Sequence, residues 1–187
     1  MAVEEPDFQT VLSEQPFEIR DYPALVVAET IAGGAQWPAA NEGFRRLAGY
    51  IFGANRRRRK IAMTAPVGQT QSADAWVVRF TMPGGCTLET LPEPDDARVI
   101  LRETPPVRVA VLRFSGWARA DDVAGKMATL RAWVRRKQLT PSGPVSLAQY
   151  NPPWTLGFWR RNEVMMPLER QEAHSHSIVP GGLEVTS

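Results

Sequence analysis

Five consecutive basic residues, Arg56, Arg57, Arg58, Arg59 and Lys60, form the densest run of charge in the chain. Such a run can grip phosphates or act as a localisation signal. It stands between a helix-like stretch and a strand-like one, so alternate side chains would point to solvent, and a solvated loop is the favoured reading. The two histidines, His174 and His176, lie in an HSH triplet near the C-terminus. Two ligands on a polar tail make a weak metal site, because structural zinc takes four. With no histidine from residue 1 to 173, neither a Ser-His-Asp nor a Cys-His arrangement can be built from that part of the chain. Cys86 sits in a Pro-Gly-Gly-Cys turn without a neighbouring histidine to activate it and reads as inert. The carboxylate pairs Asp95/Asp96 and Asp121/Asp122 fall at a loop and at a helix start, where solubility and capping account for them. These absences disfavour an enzyme without removing every acid–base chemistry.

Neither a GxGxxG nor a P-loop spacing occurs, so nucleotide binding through those devices has no support. What remains is an apolar helix stripe close to guanidinium groups. A large flat apolar ligand carrying carboxylates would suit it, since apolar side chains bury the plane and arginine binds the acids bidentately. The alternative is that the stripe is simply core, and for most of its residues that is the better reading.

The elements that must position these groups follow from periodicity. Residues 1–16 read as an arm that packs through Phe8, Val11 and Leu12. Phe17 to Tyr22 alternates with period two, and Leu25 to Ile31 is nearly continuous apolar, predicting a half-buried strand and then a buried one. Trp37, Ala40, Phe44, Leu47, Ala48 and Ile51 recur at helical spacing, with Pro38 in the first turn and Gly53 as the stop. Gly43 and Gly49 inside this helix suggest that something approaches its backbone closely, which ordinary packing of a helix on a sheet would also explain. Strands are then expected at Lys60 to Val67, Trp76 to Met82 and Val99 to Arg102. A second round follows: a strand at Val107 to Phe114, a helix with Val123, Met127, Leu130 and Val134 as its stripe, and strands at Val145 to Tyr150 and Phe158 to Leu168. Strand, helix, strand, strand thus occurs twice, which predicts internal duplication. The tail, 169–187, is polar and expected to be flexible.

The totals agree with one soluble globular domain: 187 residues, 43% hydrophobic and 22% charged. A net charge of +2, from 22 basic and 20 acidic side chains, argues against a dedicated nucleic-acid binder. One cysteine excludes an internal disulfide. The N-terminus begins acidic without a secretory pattern, and no apolar run is long enough for a bilayer, so a cytoplasmic location without membrane partners is expected.

Five segments together carry a resemblance: FEIRDYPALVVAET from Phe17, GFRRLAGYIFGAN from Gly43, KIAMTAPV from Lys60, YNPPW from Tyr150 and RRNEV from Arg160. In this order they resemble the SOUL haem-binding protein family over roughly residues 17–168. The resemblance implies an α+β fold, a distorted antiparallel β-barrel with two helices. It would be built as two pseudo-symmetric halves, about 17–104 and 105–168, like bacterial effector-binding domains of the GyrI type. It also implies haem or another tetrapyrrole as ligand, in a shallow groove along the first helix. Carried onto this chain, the groove involves Asn41, Phe44, Arg45, Ala48 and Ile51, with Arg160 or Arg161 as candidate partners of the propionates. Some members have a histidine, proposed as the axial ligand, where this chain has Asp21. Binding without imidazole ligation, through apolar burial and charge pairing, is therefore expected, in the role of a carrier, buffer or sensor. Two other classes stay open: an effector- or partner-binding module for another apolar molecule, and an enzyme acting on a tetrapyrrole or other hydrophobic substrate.

Overall fold

The computed structural model describes residues 3–151 and 155–170. Nine strands and two helices alternate along the chain: β1 (Gln9–Glu14), β2 (Phe17–Tyr22), β3 (Leu25–Gly33), α1 (Gln36–Ile51), β4 (Val67–Ser72), β5 (Ala75–Thr81), β6 (Ile100–Thr104), β7 (Val107–Phe114), α2 (Ala120–Arg136), β8 (Ser146–Gln149) and β9 (Asn162–Leu168). All nine strands belong to one antiparallel sheet, in the order β1-β2-β7-β9-β8-β4-β5-β3-β6. The fold is α+β, as the resemblance implies. The barrel is only half made: β1 and β6 are the edges of an open sheet. One cavity draws its wall from every strand between β2 and β9, so the sheet curls around it.

Side-chain alternation assigns the two faces. On the convex face α1 lies on β3 and β5, and α2 on β7 and β9. Under α1, Leu47, Tyr50 and Ile51 meet Val78 and Phe80. Under α2, Leu130, Trp133 and Val134 meet Leu147, Val164 and Met166, and Phe17 stacks on Trp133 with centroids 4.9 Å apart. Gly43 explains how close α1 sits: a Cβ there would lie 2.5 Å from Cγ2 of Val78. The close approach is therefore helix on sheet. Gly49 has no comparable neighbour, its nearest being the Ala54 side chain at 3.9 Å.

Two expectations need correction. The segment from Lys60 to Pro66 is not a strand, and β4 begins only at Val67. Its polar groups are satisfied piecemeal: the Ile61 amide donates to the Ile51 carbonyl at 2.8 Å and the Thr64 hydroxyl to the Thr81 carbonyl at 2.5 Å. Pro66, which has no N–H to give a ladder, closes the segment. Likewise, β9 starts at Asn162, because Gly157–Trp159 forms a single 3-10 turn instead of extending the strand back to Phe158. In the other direction, the N-terminal arm contains an additional strand, since β1 pairs along β2 with a bulge between Thr10 and Leu12.

The basic run is a loop. Asn55, fully buried, holds it through hydrogen bonds from its amide to the carbonyls of Tyr50 (3.0 Å) and Arg59 (2.7 Å). Arg56 and Arg58 reach Glu93 and Asp95, each at 3.0 Å, and all five basic side chains are exposed. The histidine pair and Pro152, Pro153 and Trp154 of the YNPPW motif lie outside the described residues.

Candidate functional site

The outer surface of α1 carries the candidate groove. At 3.6 residues per turn, Trp37, Asn41, Phe44 and Ala48 fall within about 60° of the helix circumference. Asn41 is exposed, while Trp37, Phe44 and Ala48 are half-buried along the border between the packed and solvated faces. Phe44 leans inward, its ring 5.4 Å from that of Phe80. Arg45 stands beside this line and is exposed. Ile51 turns the other way and is core, with 1% of its surface accessible. Four of the five residues expected along the helix thus share an outward edge, and the fifth supports it from beneath. Beyond the last turn, Phe52 prolongs the edge with 61% of its surface in solvent. Arg46 does not join it: its guanidinium donates to the Ile31 carbonyl at 2.8 Å and bonds Glu42, tying α1 to β3.

At its N-terminal end the edge opens into a pocket of about 370 Å³ walled by Trp37, Trp117, Ala118, Arg119, Gln149 and Arg160. Four segments of the chain meet here, and one glycine permits it. The Trp117 ring lies directly on the backbone of Gly157, where a Cβ would come within 2.5 Å of Nε1. Arg160 then covers the same ring, its guanidinium carbon 3.8 Å from the centroid, and donates through Nε to the Thr155 carbonyl at 2.8 Å. A planar apolar wall with two guanidiniums at its rim can bury a flat ring system and pair with its acids.

Arg160 and Arg161 part company. Arg161, just before β9, goes to the concave face, where its guanidinium stacks 3.4 Å from the Tyr150 ring centroid and bonds Glu5. Of the two candidates, Arg160 is the one brought to the α1 pocket. Trp117, Arg119 and Phe52 had no role in the sequence reading. A tryptophan placed just after Ser-Gly at a turn was the signal available for Trp117.

Asp21 sits on β2, opposite Arg108 of β7, and accepts two hydrogen bonds from its guanidinium, each 2.8 Å. These bonds hold its carboxyl below the usual range. The pair lies in the half of the sheet that α2 covers, whereas α1 rests on β3 and β5. Nearby on the concave face, Arg20 is 4% exposed and bonds Glu163 through two nitrogens at 2.8 and 3.1 Å, while the Tyr150 hydroxyl donates to the same carboxylate at 2.6 Å. Burial, with Glu163 beside it, pushes the Tyr150 phenol well up. Glu163 thus accepts three hydrogen bonds, while Arg20 also donates to Glu18 at 2.7 Å, the arrangement of a structural ion-pair network. Among the described residues, no group of three or more His, Cys, Asp or Glu is placed to hold a metal, and no helix is long and apolar enough to cross a membrane.

Comparison with known proteins places the sequence in a family. The family model described as SOUL heme-binding protein matches residues 3–167. Human heme-binding protein 2 is 27% identical over 178 residues, covering 88% of this chain and 86% of that protein. The mouse protein of the same name is 26% identical over 159 residues, covering 80% and 77%. Among solved structures, the C-terminal domain of EcmrR superposes with a TM-score of 0.62 at 11% identity, covering 87% of this chain and 98% of that one. At that identity the likeness is one of fold.

Proposed function

Because the chain belongs to the SOUL heme-binding protein family, we propose that it binds haem or a related tetrapyrrole reversibly along the outer edge of α1. The observation that carries this reading is the continuity of that edge with the pocket holding Arg119 and Arg160. From Trp37 to Ala48 the edge runs roughly 16 Å at 1.5 Å per residue, a length suited to a macrocycle. Trp37, Phe44 and Ala48 would bury one face of the plane, Asn41 and Arg45 would border it, and Arg119 and Arg160 would receive the carboxylates. A bound haem would supply an iron centre. The protein's part is to cover one ring face, pair the acids and leave the other face open, which permits fast release. A carrier, buffer or sensor needs that property.

We also infer that the two halves are pseudo-symmetric copies. In support, exchanging β2 with β6, β3 with β7, β4 with β8 and β5 with β9 reverses the strand order β2-β7-β9-β8-β4-β5-β3-β6 onto itself.

Substitution tests the site. Ala48→Glu places a carboxylate under the ring face and is expected to weaken binding of protoporphyrin at least tenfold, whereas Ala124→Glu on the exposed side of α2 leaves it unchanged. Arg160→Gln should weaken protoporphyrin several-fold but not its dimethyl ester, which has no acids to pair. Equal affinities for wild type and Ala48→Glu, with both folded by circular dichroism, would sink the α1 site.

A further inference from the structure

The concave face of the sheet, away from both helices, forms an open-mouthed cavity of about 190 Å³. Its wall is mainly apolar, with Tyr22, Val27, Val109, Ala148 and Met165 drawn from five strands, and among the described residues Arg79 is the single charged one in it. Pro6 of the N-terminal segment closes one side. That segment is fixed at both ends: Glu4 accepts hydrogen bonds from the amides of Ala65 (2.8 Å) and Gly84 (2.5 Å), and the Phe8 ring packs 5.3 Å from that of Tyr22.

Size and charge define an occupant. Pockets for drug-sized ligands run from about 300 Å³ upward, so a whole macrocycle does not fit within it. A dry apolar cavity of about 150 Å³ takes benzene, so a body of about six to eight carbons fits. The charge at the wall is positive. Arg79 donates twice to one oxygen of Glu29, at 3.0 and 2.8 Å, and Arg102 donates to the other at 2.6 Å. Two guanidiniums therefore share one carboxylate, leaving one cation in excess. On the same face Arg20 bonds both Glu163 (2.8 and 3.1 Å) and Glu18 (2.7 Å), but neither carboxylate lines the cavity, so the charge at its wall is that of Arg79.

We propose that this cavity is a second binding site, separate from α1, for a small monocarboxylate with an apolar body, whose acid group pairs with Arg79. Octanoate is the probe, with octanol and octylammonium as the neutral and cationic comparators. Titration followed by methyl NMR should show saturable shifts at Val27, Val109 and Met165, with octanoate binding at least tenfold more tightly than octylammonium. Arg79→Gln should lower octanoate affinity at least fivefold and leave octanol unchanged, and Val27→Phe, which fills the cavity, should abolish both. Ala48→Glu on α1 should leave octanoate binding intact, which separates this site from the tetrapyrrole surface. Equal binding of octanoate and octylammonium to the wild-type protein overturns the proposal, as does the absence of saturable shifts at these three residues. Those two readings need no variant to fold.

Discussion

Arg160 and Arg161 show how much one position along the chain decides. Both are arginines in one motif, yet one stacks on Trp117 beside α1 and the other on Tyr150 across the sheet. The motif was legible in the sequence, but the partition was not. It depends on where β9 begins, and the 3-10 turn at Gly157–Trp159 moved that start. Glu29 offers a test at the same scale. Burial raises its pKa, but the guanidiniums of Arg102 and Arg79 outweigh burial and hold it below the usual value. A depressed folded-state pKa contributes stability above the unfolded value of about 4.3, and that stability is lost as pH falls through the folded value. Glu29→Gln is therefore expected to be less stable than wild type at pH 7, with the gap in urea midpoint narrowing as pH drops below about 4. A gap that stays constant down to pH 2–3 would show that the ion pairs contribute nothing to stability.

Among the elements, α1 was the most legible, because its apolar spacing and its glycines point the same way. Propensity alone would make Gly43→Ala stabilising by about 1 kcal/mol. Contact with Val78 predicts the opposite, since a methyl 2.5 Å from Cγ2 must push α1 off β5. Overpacking of this kind costs about 1–3 kcal/mol, and urea denaturation should show a loss of that order. Gly49→Ala, with room around it, should be neutral or stabilising. The segment from Lys60 to Pro66 was misread because its alternation resembles a strand, while its hydrogen bonds go to the end of α1, to β5 and to Glu4. Such partners are fixed by tertiary packing and leave no periodic trace. Strand β1 was missed for a related reason: its side chains are mostly exposed, so it has no apolar alternation to see.

For the molecule as a whole, the order of elements forecast strand, helix, strand, strand twice over and the resemblance a distorted barrel with two helices, whereas the placement of both helices on one face and the curl that makes the opposite face a cavity emerged only from the pairing of β2 through β9. The central claim is that the α1 edge recognises a ring plane and its acids, with no need for imidazole. Affinity should then depend little on iron. The most direct measurement is parallel titration of the full chain with haemin and with metal-free protoporphyrin, repeated on the His174→Ala, His176→Ala double variant. The account predicts micromolar binding of both ligands within about threefold of each other, a shifted Soret band without bis-imidazole character, and no change in the double variant. Haemin binding that collapses when the two histidines are removed, or protoporphyrin that fails to bind at all, would contradict it.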